Sequence, residues 1–171
     1  WDAAHYLDIA QHGYQFESPA TNFYPLWPAM IRVFGAIFHC DALVIALVLA
    51  NLLSLTALIL LHAYTLRRHG ETAANWALIF LVSFPAALFQ LFPYSESLFF
   101  FLLIVIFTLL ERRKHALAIL ASVLLPLCRP TGIFIVLPLF AVLWKNGRSL
   151  KKASLAAFPL LGLLIYFLVM Q

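Results

Sequence analysis

The stretch ALVIALVLANLLSLTALILLHAYTL, residues 42–66, contains no Asp, Glu, Lys or Arg. About 20 apolar residues at 1.5 Å each cross a hydrocarbon core of roughly 30 Å, so this stretch predicts a transmembrane span. Lipid offers no partner for backbone N–H and C=O groups, and a single span must therefore be a helix. Asn51, Ser54, Thr56 and His62 interrupt it, and Arg67, Arg68 and His69 follow it. Working outward, Ala73 to Phe92 reads as a second span, turned by Pro93-Tyr94-Ser95-Glu96. Ser97 to Leu110 returns and ends in Glu111-Arg112-Arg113-Lys114-His115, and Ala153 to Met170 is a last span. Hydrophobic residues make up 64% of the chain and charged residues 11%, against about 25% charged in a soluble domain.

The stretch from Ala116 to Trp144 is too long for one ordinary helix and is split by Arg129-Pro130-Thr131-Gly132. Each half is too short to cross alone, so the expectation is two short helices meeting at an apex, a hairpin that enters and leaves on one side. Charge placement supports it. Arg67 and Arg68, then Arg112, Arg113 and Lys114, then Lys145, Arg148, Lys151 and Lys152 lie in three short loops. The positive-inside rule places all three in the cytoplasm, and the crossings alternate correctly only with the hairpin. The net charge of +4 is thus an orientation signal and implies no nucleic acid partner. The fold expected is all-α: a polytopic transmembrane bundle with a split hairpin and an amphipathic extracytoplasmic interfacial helix. It forms one domain over residues 1–171, with 1–41 an extracytoplasmic loop carrying interfacial helices and 42–171 the membrane helices. The chain reads as truncated at both ends, lacking an initiator Met and stopping straight after an apolar stretch.

The interfacial helix is WDAAHYLDIAQHGY, residues 1–14. At 100° per residue Asp2, His5, Asp8 and His12 fall within an arc of roughly 120°, with Ala3, Tyr6, Leu7, Ala10 and Tyr14 on the other side. Gly13 supplies a stop. Ionisable groups gathered beside membrane spans mark a functional site by default. Asp2 suits a helix cap or, functionally, a general base or an anchor for an acceptor hydroxyl. His5, Asp8 and His12 suit a solvated polar face or, as a weaker alternative, a divalent metal.

On the expected topology the Tyr24–Pro28 segment, the Tyr94-Ser95-Glu96 turn and the Arg129 apex face the same side as that helix. Ser95 suits a helix N-cap, and Glu96 in the first turn suits the helix dipole or a polar site. Arg129 is costly in an apolar hairpin unless paired or hydrated. It suits a phosphate, helped by a half-helix starting near Thr131 or Gly132, or else a structural pairing with a carboxylate such as Glu96. Tyr24, Trp27, Trp76 and Trp144 suit interface belts. Cys40 and Cys128 fit no metal or redox spacing and read as two buried thiols. No repeat, Gly-rich phosphate loop or Cys/His metal pattern appears.

Taken in order, WDAAHYLDIAQHGY (1–14), NFYPLWPAMIR (22–32), FPYSESLFF (92–100) and RPTG (129–132) resemble the PIG-V-like mannosyltransferases, multi-pass membrane glycosyltransferases of GT-C architecture. The resemblance implies a polyprenyl- or dolichyl-phosphate mannose donor and transfer on the extracytoplasmic or lumenal face with inversion. By motif match the base role falls on Asp2. Arg129 suits the leaving phosphate, and Glu96 and His5 suit sugar or acceptor hydroxyls. Tyr6, Tyr24 or Trp27 suits stacking on a sugar face. No metal or other cofactor is implied beyond the lipid-phosphate donor. The partners are membrane lipid and a glycan, glycolipid or protein acceptor, at the bacterial inner membrane or the endoplasmic reticulum. A transporter or flippase of a lipid-linked glycan precursor, and a non-catalytic subunit of a glycosylation complex, remain open from the residues.

Overall fold

The computed structural model describes residues 2–14, 22–147 and 150–169, and among these every regular element is a helix or helical turn. In order they are α1 (Asp2–His12), α2 (Leu26–Phe38), α3 (Ala42–His69), α4 (Glu71–Ser83), α5 (Glu96–Glu111), α6 (His115–Ser122) and α7 (Leu124–Cys128). Then come α8 (Val136–Gly147), α9 (Leu150–Ala153) and α10 (Pro159–Val169). Three 3₁₀ turns, Pro85–Gln90, Pro130–Ile135 and Ser154–Ala157, join them. The expectations for Arg148, for Met170 and for Trp1 lie outside the described residues.

α3 is long and apolar enough to cross a membrane, and among the described residues it is the one helix that meets both conditions. The carboxylate of Asp41 caps its start, accepting from the amides of Leu43 at 2.8 Å and Val44 at 3.4 Å. At its other end Gly70, with φ of 85°, lets the chain leave, while Arg67, Arg68 and His69 sit where the helix dipole favours cations. The buried face of α3 includes Ala46, Ala50, Ser54 and Ala57, small residues that let α5 and α4 approach closely. Its outward face shows Val48, Leu52, Leu55 and Ile59.

The second expected span, Ala73 to Phe92, is not one α-helix. α4 stops at Ser83, because Pro85 has no N–H to continue the ladder, and a 3₁₀ turn carries the chain to Gln90. This break leaves carbonyls without helical partners, and α3 satisfies two of them. Ser54 Oγ donates to the Gln90 carbonyl at 2.6 Å and Asn51 Nδ2 to that of Leu91 at 3.1 Å. The polar interruptions of α3 therefore answer the kink of the neighbouring segment.

α5 has 16 residues and packs against both α3 and α6. At 1.5 Å per residue it reaches about 24 Å. Where the hairpin is expected, α6 and α7 precede the break at the extended Arg129, and the 130–135 turn and α8 follow it. The outgoing segment opens as a 3₁₀ turn, so the expected half-helix at Thr131 begins as α-helix only at Val136. Gly132 seals the apex. A Cβ there would stand 2.3 Å from the carbonyl carbon of Leu125 and 2.6 Å from the nitrogen of Pro126. α10 packs on α7 through Gly162, whose Cβ position is 2.3 Å from the Val123 carbonyl oxygen. One core runs through the molecule, including Trp27, Ile31, Ala46, Leu102, Ile106, Leu125 and Leu139.

Candidate functional site

The site is organised by residues 93–97, where α1, α2 and the hairpin apex meet the start of α5. Ser95 is fully buried there. Its hydroxyl does not cap α5; it lies 2.9 Å from the hydroxyl of Tyr6 on α1. The thiol of Cys128, last residue of α7, points at the Ser95 carbonyl at 3.4 Å. Trp27, on α2, donates its indole N–H to the Pro93 carbonyl at 3.2 Å. Next in sequence, Glu96 pairs with Arg129 across the apex, Oε1 to Nη1 at 2.5 Å, with side-chain exposures of 33% and 37%. Partial exposure leaves this pair reachable from a cavity of about 360 Å³ that both residues line with Thr131, Gln90, Phe84 and Phe99.

α1 brings the remaining polar groups alongside. Its buried residues are Tyr6, Ile9 and Ala10. Ile9 falls inside the arc expected to be polar, so the packed face is turned toward that arc. Asp2, His5, Asp8 and His12 are all exposed. Asp2 sits one helical turn before Tyr6, on the same side of α1. Burial pushes the Tyr6 phenol up to about 12, while the Ser95 hydrogen bond and the nearby Arg129 guanidinium pull the other way. The Tyr6 phenol is thus within electrostatic reach of the Glu96–Arg129 pair. Burial also raises Tyr14, whose hydroxyl donates to the Phe23 carbonyl at 2.6 Å.

The aromatic expectations divide. Trp27 is completely buried, so its ring packs and presents neither an interface-belt surface nor a face for a sugar. Tyr24 stacks on Tyr166 of α10, ring centroids 4.3 Å apart. His5 stacks on Phe23 at 4.8 Å, and Tyr6 meets the same ring edge-on at 5.0 Å. Trp76 and Trp144 are exposed. The weak metal alternative finds no assembled ligand set. His12 pairs with Asp8 at 2.9 Å and His5 faces Phe23, and among the described residues no three His, Cys, Asp or Glu gather around one point. Cys128 is buried as expected, but Cys40 is exposed because it follows a left-handed turn at His39 that ends α2 in solvent. Sequence reasoning missed Phe23 and Gln90 as members of the site, and it took Ser95, in the polar Tyr-Ser-Glu-Ser run, as a helix cap and Thr131 as the start of a half-helix.

The family described as Mannosyltransferase (PIG-V) matches residues 1–142, a stretch that contains α1, the 93–97 segment and the hairpin apex. The chain belongs to this family. Mouse "GPI alpha-1,6-mannosyltransferase 2" is 34% identical over 125 residues, which is 67% of this chain and 25% of the mouse protein. This PIG-V-family chain thus spans about a quarter of the length of that relative. No solved structure matches it. Asp2, Glu96 and Arg129 all lie inside the matched part of this mannosyltransferase-family chain.

Proposed function

We propose that this chain carries part of the active site of a membrane-embedded, GT-C type mannosyltransferase. In this reading it moves mannose from a polyprenyl- or dolichyl-phosphate donor to an acceptor hydroxyl on the extracytoplasmic or lumenal face. The observation that supports it best is the Glu96–Arg129 pair at the rim of a largely apolar cavity, beside an α1 that carries Asp2, in a chain of a mannosyltransferase family. An amphiphilic phosphate ester needs that combination: apolar walls for its chain and a guanidinium for its phosphate.

The membrane reading rests on α3 and on the surface of its neighbours. Large apolar side chains such as Phe80, Phe134, Leu137 and Leu168 stand outward in numbers that a water-facing surface does not carry. With α3, the α4 segment, α5, the split hairpin and α10 in the bilayer, the three basic loops lie on the cytoplasmic side. α1 and residues 93–97 then lie on the other face.

In the transfer step the Asp2 carboxylate takes the proton of the acceptor hydroxyl as its oxygen bonds to the anomeric carbon of mannose. The bond from that carbon to the phosphate oxygen breaks, and the polyprenyl phosphate leaves with the electron pair. A single displacement inverts the anomeric configuration. Arg129 receives the charge that grows on the departing phosphate. Its contact with Glu96 uses Nη1 and leaves the other edge of the guanidinium for phosphate oxygens. In this reading Glu96 and His5 take sugar or acceptor hydroxyls. Arg129 supplies the cation, so the reading requires no metal. The mouse relative's name points to a GPI acceptor, and for this chain that is one acceptor within the wider class of glycans, glycolipids and proteins.

The test is sugar transfer by the full-length protein in membranes supplied with radiolabelled polyprenyl-phosphate mannose. Asp2→Asn should abolish transfer and keep donor binding, whereas Arg129→Gln should weaken donor binding about tenfold or more. Turnover retained in Asp2→Asn removes the base assignment. Labelled lipid that crosses the bilayer without transfer turns the reading to a flippase.

A further inference from the structure

α5 begins at the site with Glu96 and ends at Glu111, roughly 22 Å away along the helix axis. At that far end a second cleft, about 420 Å³, lies between α3, α5 and α8. Phe107, Leu110 and Val142 give it an apolar wall, and Arg68, Arg113 and Lys145 give it three cations. The carboxylate on its lining is Glu111, which already pairs with Arg67 at 2.9 Å. The cleft therefore carries an excess of positive charge.

Two of its cations are held in a way that points to use. Arg68 donates from Nη1 to the Tyr64 hydroxyl at 2.6 Å, and its guanidinium lies 5.5 Å from that ring's centre. Arg113 occupies the left-handed position that closes α5, with φ of 57°. The amide of Arg113 bonds the Leu110 carbonyl at 3.1 Å and that of Lys114 bonds the Leu109 carbonyl at 2.9 Å. Helices that end this way place glycine there, because a side chain is strained in the left-handed region. This chain keeps an arginine in the strained position, beside an arginine and a lysine from two other helices.

We infer that the cleft binds the phosphate headgroup of an anionic membrane lipid, at a site separate from the one that would take the sugar donor. Arginine matches phosphate oxygens with paired N–H donors, and an apolar wall beside the cations suits a molecule whose phosphate continues into hydrocarbon. The cleft borders the last turns of α3, where a membrane-crossing helix meets the headgroups, and basic clefts between helices on the cytoplasmic side suit anionic lipid. The inference rests on the membrane placement proposed above and is independent of the transfer chemistry.

The test uses the full-length protein purified in mild detergent, without donor or acceptor, and short-chain phosphatidylglycerol against phosphatidylcholine as probes. Arg113→Gly is the decisive variant, since glycine is the residue the helix end prefers. It should keep or raise the melting temperature while weakening phosphatidylglycerol binding about fivefold, from roughly 1 kcal/mol per basic residue. The triple variant Arg68→Gln, Arg113→Gly, Lys145→Gln should bind the two lipids equally. Wild-type protein that does not discriminate them, or a triple variant that binds phosphatidylglycerol as wild type does, overturns the site. Full displacement of the lipid by millimolar inorganic phosphate overturns the lipid as its source and leaves a soluble-anion pocket. A failed transfer assay leaves this binding result untouched, and a failed binding assay leaves transfer untouched.

Discussion

The hydroxyls of Tyr6 and Ser95 lie 2.9 Å apart across 89 positions of sequence, in the buried space between α1 and the start of α5. This one hydrogen bond fixes the helix that carries Asp2 against the segment that carries Glu96. Removing either hydroxyl leaves the other without its partner in a dry place. Tyr6→Phe and Ser95→Ala should each destabilise the protein by about 1–2 kcal/mol, and the double variant should cost clearly less than the sum. Thermal unfolding of the purified protein measures all three. Additive costs would show that the two hydroxyls do not act as a pair.

The same phenol sets an alkaline limit. Its ordinary value is 10.0 and burial raises it to about 12, so the folded state holds the proton more tightly than the unfolded chain. The stabilisation is therefore complete below pH 10 and is lost as the pH rises from about 10 to about 12. Stability measured across that window should fall in the wild type and fall less steeply in Tyr6→Phe.

Two glycines should respond to alanine in opposite directions. At Gly132 the added methyl meets backbone atoms of Leu125 and Pro126 at 2.3–2.6 Å, which cannot yield as a side-chain end would. Gly132→Ala should cost about 3 kcal/mol or more and open the hairpin apex. Gly35 lies within α2, and its added methyl would find the Cys40 carbonyl oxygen at an ordinary 3.6 Å. Gly35→Ala should stabilise by about 0.5–1 kcal/mol through a less flexible unfolded chain. Melting temperatures of the two variants check the contrast.

Thiol labelling separates the two cysteines. Cys40 is exposed and Cys128 buried. A maleimide should modify Cys40 in the folded protein and reach Cys128 only after denaturation. On the proposed topology, a membrane-impermeant reagent added outside intact cells or spheroplasts should label Cys40 in the full-length protein. Labelling only after permeabilisation would reverse the orientation.

Much of the helical scaffold was legible because it depends on short-range properties. The apolar stretch 42–66 reads as a helix from composition alone, and α3 covers it. Pro130 lacks an N–H, so the break expected at Arg129-Pro130 follows from the covalent structure, whereas Pro85 carries the same signal inside the stretch read as one span. What the residues misjudged was the continuity of the second span, because hydropathy counts Leu88, Phe89, Leu91 and Phe92 as apolar whether or not the backbone there is α-helical. Helical periodicity identified the packing side of α1 at Tyr6 and Ala10. The arc that holds Asp2, His5, Asp8 and His12 also contains Ile9, which the structure buries.

The sequence by itself determined helical class, the break at Arg129-Pro130, the segregation of basic residues into three loops and the family. Each of these is a property of residues close together or of a linear pattern. Only the tertiary structure decided that Ser95 bonds Tyr6 and leaves α5 without a side-chain cap, that Glu96 meets Arg129, and that Trp27 is sealed inside. Those outcomes depend on which distant group arrives first in strength and geometry at a given polar atom. A buried hydroxyl takes the partner that replaces the water it has lost, and that partner is supplied by packing between segments as much as 89 residues apart.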